Sequence, residues 1–100
     1  MEAVRIEVSG LPAGAVIKYR THVAGKGWLS WVLGGEISGT TGEARRIEAI
    51  QIKLLNSPDW NVKYQVHVAG KGWLSWASNG KTAGTTGESR QIEAVRIMLE

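Results

Sequence analysis

Hydrophobic and polar residues alternate along this chain in short runs, and glycine separates the runs. Ile50, Ile52 and Leu54 alternate with Gln51 and Lys53, the period of two that turns one face of a strand toward a core. Residues 16–23, Val-Ile-Lys-Tyr-Arg-Thr-His-Val, are rich in β-branched and aromatic side chains that suit a pleated sheet. Turn residues at Gly25–Gly27, Gly34-Gly35, Gly39–Gly42 and Pro58-Asp59 divide the chain at the spacing of small sheets, barrels and prisms. No stretch sustains the i, i+3, i+4, i+7 pattern of a helix. The chain is therefore expected to be all-β, with four antiparallel strands per unit near 16–24, 27–33, 35–40 and 45–54. In the last of these Glu48 falls in phase with Ile50 and Ile52. A long strand that bends and passes from one sheet to the next would account for it.

The pattern repeats. Displacing the chain by 45 places residues 16–55 over 61–100, and 24 of the 40 pairs are identical. His22 to Trp31 recurs unchanged as His67 to Trp76, and Gly39 to Glu43 as Gly84 to Glu88. Glu2-Ala3-Val4-Arg5-Ile6 returns as Glu93 to Ile97, and in variant form as Glu48 to Ile52. The organisation is a first repeat over about 2–47, a second over about 48–92 and an extra strand over 93–100. A unit of this size without a disulfide or metal is near the lower limit for folding alone. The two copies are expected to share one core made of two packed sheets. The alternative is a β-prism or β-trefoil-like arrangement completed by oligomerisation. Leu29, Trp31, Ile47, Ile50, Ile52 and Leu54 are the expected core, with Leu74, Trp76, Ile92, Val95, Ile97 and Leu99 as their equivalents, and Val4 and Ile6 closing the open end. The copies diverge at the links 9–15 and 56–61.

Composition narrows the chemistry. The chain has no cysteine, which excludes a disulfide scaffold and thiolate metal sites. Its net charge is +3, with 12 Lys and Arg spread along 100 residues. No basic run marks a nucleic-acid groove, although a basic chain can favour an anionic polymer such as a cell wall. No segment approaches the ~18 apolar residues of a membrane span. The first residues lack the basic start and apolar run of a signal peptide. An intracellular protein, a piece of a longer secreted chain, or a phage-type protein released by lysis would each fit.

Several motifs together resemble a known family. They are a Tyr-x-x-His strand, Gly-Trp-x-x-Trp at 27–31, Gly35, a Gly39-Thr40 pair, Arg46-Ile47-Glu48-Ala49-Ile50, and Ile52 to Leu54. The second copy matches at Tyr64, His67, Gly72-Trp73, Trp76, Gly80, Ala83-Gly84-Thr85 and Glu93 to Leu99, with the Arg position shifted by one to Arg90. The pattern resembles the ChW repeat, the clostridial hydrophobic module with a tryptophan. That resemblance implies a surface or secreted protein of Gram-positive bacteria, or a module beside the lysozyme or amidase domains of autolysins and phage lysins. It further implies a targeting role on cell walls or carbohydrate. Such repeats often stand in threes, and this chain has two and one strand.

The tryptophans are the first candidates for contact with a ligand. On a regular strand Trp28 and Trp31, three apart, face opposite sides. Trp31 would share a face with Leu29 and Leu33, so Trp31 and Trp76 are expected in the core. Trp28 and Trp73 are then the exposed platforms, whose flat indoles suit the C–H face of a sugar. All four could equally be packing residues. His22 and His67 lie on the polar face with Lys18, Arg20 and Lys63. They would bond a ligand hydroxyl or phosphate, or else a turn in the neighbouring unit. Lys26 and Lys71 would add polar contacts, and Trp60, unique to the second copy, is a loop candidate. One His per repeat does not make a metal site. Arg46 with Glu48, and Arg90 with Glu93, read as structural ion pairs where the sheet crosses over. Gly39 to Gly42 lacks the Lys-Ser/Thr of a P-loop, and no Gly-x-Ser-x-Gly elbow occurs. The expectation is a non-catalytic module for bacterial cell-wall or other carbohydrate polymers, one weak site per repeat. It would use no cofactor or metal and engage no nucleic acid or membrane. It would act outside the cell or at its surface. The alternative is a protein–protein assembly or structural oligomer module, with further copies of the chain as partners.

Overall fold

Among the described residues, 2–11, 13–43 and 45–100, the computed structural model holds eleven strands and no helix. An opening strand, β1 (Ala3–Arg5), comes first. Then follow β2 (Val16–Val23), β3 (Gly27–Trp28), β4 (Val32–Leu33), β5 (Ile37–Gly39) and β6 (Ile47–Leu55). The second set repeats them: β7 (Val62–Val68), β8 (Gly72–Trp73), β9 (Ala77–Ser78), β10 (Thr82–Gly84) and β11 (Ile92–Leu99). All pairings are antiparallel. In the first unit β2 lies between β6 on one edge and the short β3 and β4 on the other. In the second, β7 lies in the same way between β11 and the pair β8, β9.

The long strand couples the units, as its changing phase led one to expect. β6 pairs with β2 of its own unit along one edge and with β10 of the next unit along the other. β1 stands to β5 as β6 stands to β10, with Ala3 opposite Gly39 and Ala49 opposite Gly84. The approach is close enough that a Cβ on Gly84 would lie 2.5 Å from the Glu48 carbonyl oxygen. Glycine is required there, and its φ of 112° is one that side-chain-bearing residues rarely adopt.

The bend at Glu48 is a β-bulge. His22 faces Ala49 but Val23 faces Ile47, so Glu48 is the extra residue on the long strand. The bulge lets Ile47 join Ile50, Ile52 and Leu54 on the inner face, against Val23, Thr21, Tyr19 and Ile17. Glu93 makes the same irregularity between Ile92 and Ala94.

One core runs through both units. Ile17, Tyr19, Val23, Ile50 and Ile52 join Val62, Tyr64, Val66, Val68 and Ile92 in a single buried cluster that Ile6 closes at one end. Tyr19 and Tyr64 tie each unit to the strand before it. The Tyr19 hydroxyl accepts the Ile6 N–H at 3.0 Å and donates to the Glu36 carbonyl. The Tyr64 hydroxyl donates to the Lys81 carbonyl, and burial pushes its pKa up from the ordinary phenol value.

Two expectations for the core need correction. Trp31 and Trp76 lie outside it, Trp76 being 45% exposed. Leu29, Leu74, Val95, Ile97 and Leu99 pack on its rim, half-buried rather than central.

Candidate functional site

The outward face of β2 carries Lys18, Arg20 and His22, the alternates of its buried residues. What joins them follows from a second irregularity. Trp28 stands opposite His22, and Val32 opposite Tyr19. Three residues, Leu29, Ser30 and Trp31, therefore span the interval that two residues span on β2. The surplus residue turns the alternation over. Leu29 stays in ladder contact, its N–H on the Thr21 carbonyl at 3.0 Å, while Trp31 comes out onto the face of Trp28. Leu33, expected inside with Trp31, is likewise 51% exposed. The second unit keeps the same count between Trp73 and Ala77.

Both indoles of the first unit are lined with cations. The Arg20 guanidinium sits 5.0 Å from the Trp28 ring centre and 4.8 Å from that of Trp31. Lys18 and Lys53 approach Trp31 at 4.9 and 5.4 Å. Cations over indole faces are attracted by the ring quadrupole. His22 meets Trp28 edge-on, with ring centres 5.3 Å apart. Its Nδ1 is 3.1 Å from the buried Glu48 carboxylate, which also faces Arg46 Nε at 3.5 Å. His22 is thus oriented by a carboxylate of its own sheet, not by a turn of the neighbouring unit.

The second unit rebuilds this arrangement from different positions. Its β7 has Gln65 where β2 has Arg20, and β11 has Arg96 where β6 has Gln51. The cross-strand pair survives with its partners exchanged. Arg20 Nε donates to Gln51 Oε1 at 2.8 Å, and Arg96 Nη1 donates to Gln65 Oε1 at 3.4 Å. In both units an arginine stays beside the first indole, with Arg96 3.8 Å from the Trp73 ring centre. His67 repeats the edge-on contact with Trp73 at 5.3 Å and the carboxylate contact, with Glu93 at 2.9 Å. Trp73 is 37% exposed, and Trp28 is half-buried.

The remaining expected residues lie elsewhere in the design. Lys26 and Lys71 bind Glu43 and Glu88 at 3.2 and 3.0 Å, beside Arg45 and Arg90. These ionic hydrogen bonds, the lysine's first and the arginine's second, hold the Glu43 carboxyl below its ordinary pKa. Arg90 accordingly pairs with Glu88 and not, as expected, with Glu93. Trp60 is 46% exposed in the 56–61 link, its N–H on the Ser57 carbonyl. An open groove of about 480 Å³ is lined by Glu7, Val8, Leu11, Ile17 and Leu33 among others, and no tryptophan borders it.

The sequence brings out Trp28, Trp73, His22 and His67 and misses Trp31, Arg20, Arg96, Lys18 and Lys53 as their partners. The alternation of Lys18, Arg20 and His22 was a usable signal; the surplus residue before Val32 was not. Residues 22–56 and 67–100 match the family described as Clostridial hydrophobic W. No curated protein and no solved structure matches the chain.

Proposed function

We propose that this chain, which belongs to the Clostridial hydrophobic W family, is a non-catalytic module that binds bacterial cell-wall or related carbohydrate polymers. One observation carries the reading: in each unit a tryptophan, a histidine and an arginine share the outward face of one sheet, and in the first unit Trp31 joins them. An indole offers an apolar plane for the C–H face of a sugar ring. The cations and imidazole beside it suit hydroxyl, phosphate or carboxylate groups, which an anionic wall polymer supplies. Two such faces in one chain gain avidity on a repetitive ligand. The module acts outside the cell or at its surface, and needs neither cofactor nor metal.

Co-sedimentation with purified Gram-positive cell walls tests this. The Trp28→Ala, Trp73→Ala double variant should lose most of the retention shown by the parent chain. Equal retention of the two would overturn the proposal.

A further inference from the structure

The two long strands have the same partners on one side and different surroundings on the other. β6 has β2 on one edge and β10 on the other. β11 has β7 on one edge and, among the described residues, no strand on the other. The consequences show along the chain. Glu48, Ala49, Ile50 and Ile52 are buried, whereas Glu93 is exposed and Ala94, Val95 and Ile97 are only half-buried. Met98 is 42% exposed where β6 has the half-buried Lys53.

The seat that fits such an edge is already present in the molecule. β5 holds β1 with Ala3 opposite Gly39, Val4 opposite Ser38 and Arg5 opposite Ile37. Thr40 N–H bonds the Glu2 carbonyl at 3.1 Å and Gly35 N–H bonds the Ile6 carbonyl at 2.8 Å. Between the units, Thr85 and Gly80 bond Glu48 and Ile52 of β6 in the same way, at 3.1 and 2.7 Å. The residues that β5 grips, Glu2-Ala3-Val4-Arg5-Ile6, are those of Glu93-Ala94-Val95-Arg96-Ile97. The seat is sterically selective, because a Cβ on Gly39 would lie 2.7 Å from Ala3 Cα.

We infer that β11 of one copy is received by β5 of a second copy, where it replaces that copy's own β1. The register follows from the existing pairing: Ala94 faces Gly39, Val95 faces Ser38 and Arg96 faces Ile37 of the second copy. Ile97 takes the place of Ile6 against Tyr19, and Leu99 that of Val8. β1 is then an internal plug of identical sequence that competes with β11 for one seat. The exchange keeps the contacts of β5 and adds burial of the open β11 edge. The joint is head-to-tail, so it propagates along a line instead of closing into a symmetric pair. This inference is independent of the glycan reading and survives if that reading fails.

The chain contains no cysteine, which allows a direct test. Ile37→Cys and Arg96→Cys are made as separate full-length variants and mixed in equal amounts in a glutathione redox buffer. Facing residues on antiparallel strands have Cβ atoms about 4.5–5.5 Å apart, near disulfide reach. The 37–96 heterodimer should exceed both homodimers several-fold. Adding Val4→Pro to the Ile37→Cys chain denies β1 a residue that can sit in the ladder, and should raise the heterodimer yield further. A heterodimer no more abundant than chance pairing gives, with or without Val4→Pro, would overturn the inference. If Val4→Pro fails to fold by circular dichroism, the result with the unmodified β1 decides.

Discussion

Thr21 and Ser38 meet as two hydroxyls 2.9 Å apart inside the first unit. At the same places the second unit has Val66 and Ala83, both buried. The repeats thus contain both solutions to one packing problem, a satisfied polar pair and an apolar pair. Removing one partner leaves a buried hydroxyl unbonded, at a cost of about 1–3 kcal/mol, whereas replacing both is close to neutral. Ser38→Ala should therefore lower the melting temperature by roughly 4–8 °C per kcal/mol lost. Thr21→Val, Ser38→Ala should restore most of it. A double variant that melts as low as the single one would contradict this. At the same scale, the arginine beside the first indole changed strands between the repeats, from position 20 to position 96, while its glutamine partner moved the other way. Comparing position with position in the sequence hides that compensation, because it is visible only once β2 is laid against β6 and β7 against β11.

Among the elements, the long strands and the short β5 were legible, and the pair β3 and β4 was not. Ile50, Ile52 and Leu54 alternate regularly because one face of β6 is buried, and the break at Glu48 marked a real irregularity. The expected strand over 27–33 is instead two two-residue strands, because the surplus residue between Trp28 and Val32 leaves the ladder. Spacing alone placed Trp31 and Trp76 in the core on the assumption of unbroken alternation, and a single bulge reverses that. The seven pairings of β11 with β7, from Ile92 opposite Val68 to Leu99 opposite Val62, give the second unit most of its sheet. Deleting residues 93–100 removes all but the first of them and uncovers Tyr64 and Val66. The truncated chain should lose its cooperative melting transition or melt at least about 10 °C lower, given the small size of the domain. Unchanged melting would show that β11 is dispensable to the core.

For the whole molecule, the units are joined in series, each gripping the long strand of the one before. Such a stack shares one core while each unit keeps its own outward face, a general property of repeat proteins. The all-β class, the tandem organisation and the shared core were legible because they depend on pattern and chain length. The composition of the outward face was only half legible, since it depends on where one extra residue falls. That residue gives the sharpest contrast to measure. Trp31 and Trp76 lie outside the core, with Trp31 beside the basic face and Trp76 exposed, so replacing them should leave the fold intact. The decisive measurement is co-sedimentation of the Trp31→Ala, Trp76→Ala variant with purified Gram-positive cell walls, alongside its melting curve. A near-parental melting temperature with most wall retention lost is the expected result. Collapse of the fold would return these tryptophans to the core, and full retention with a normal melt would remove them from the binding face.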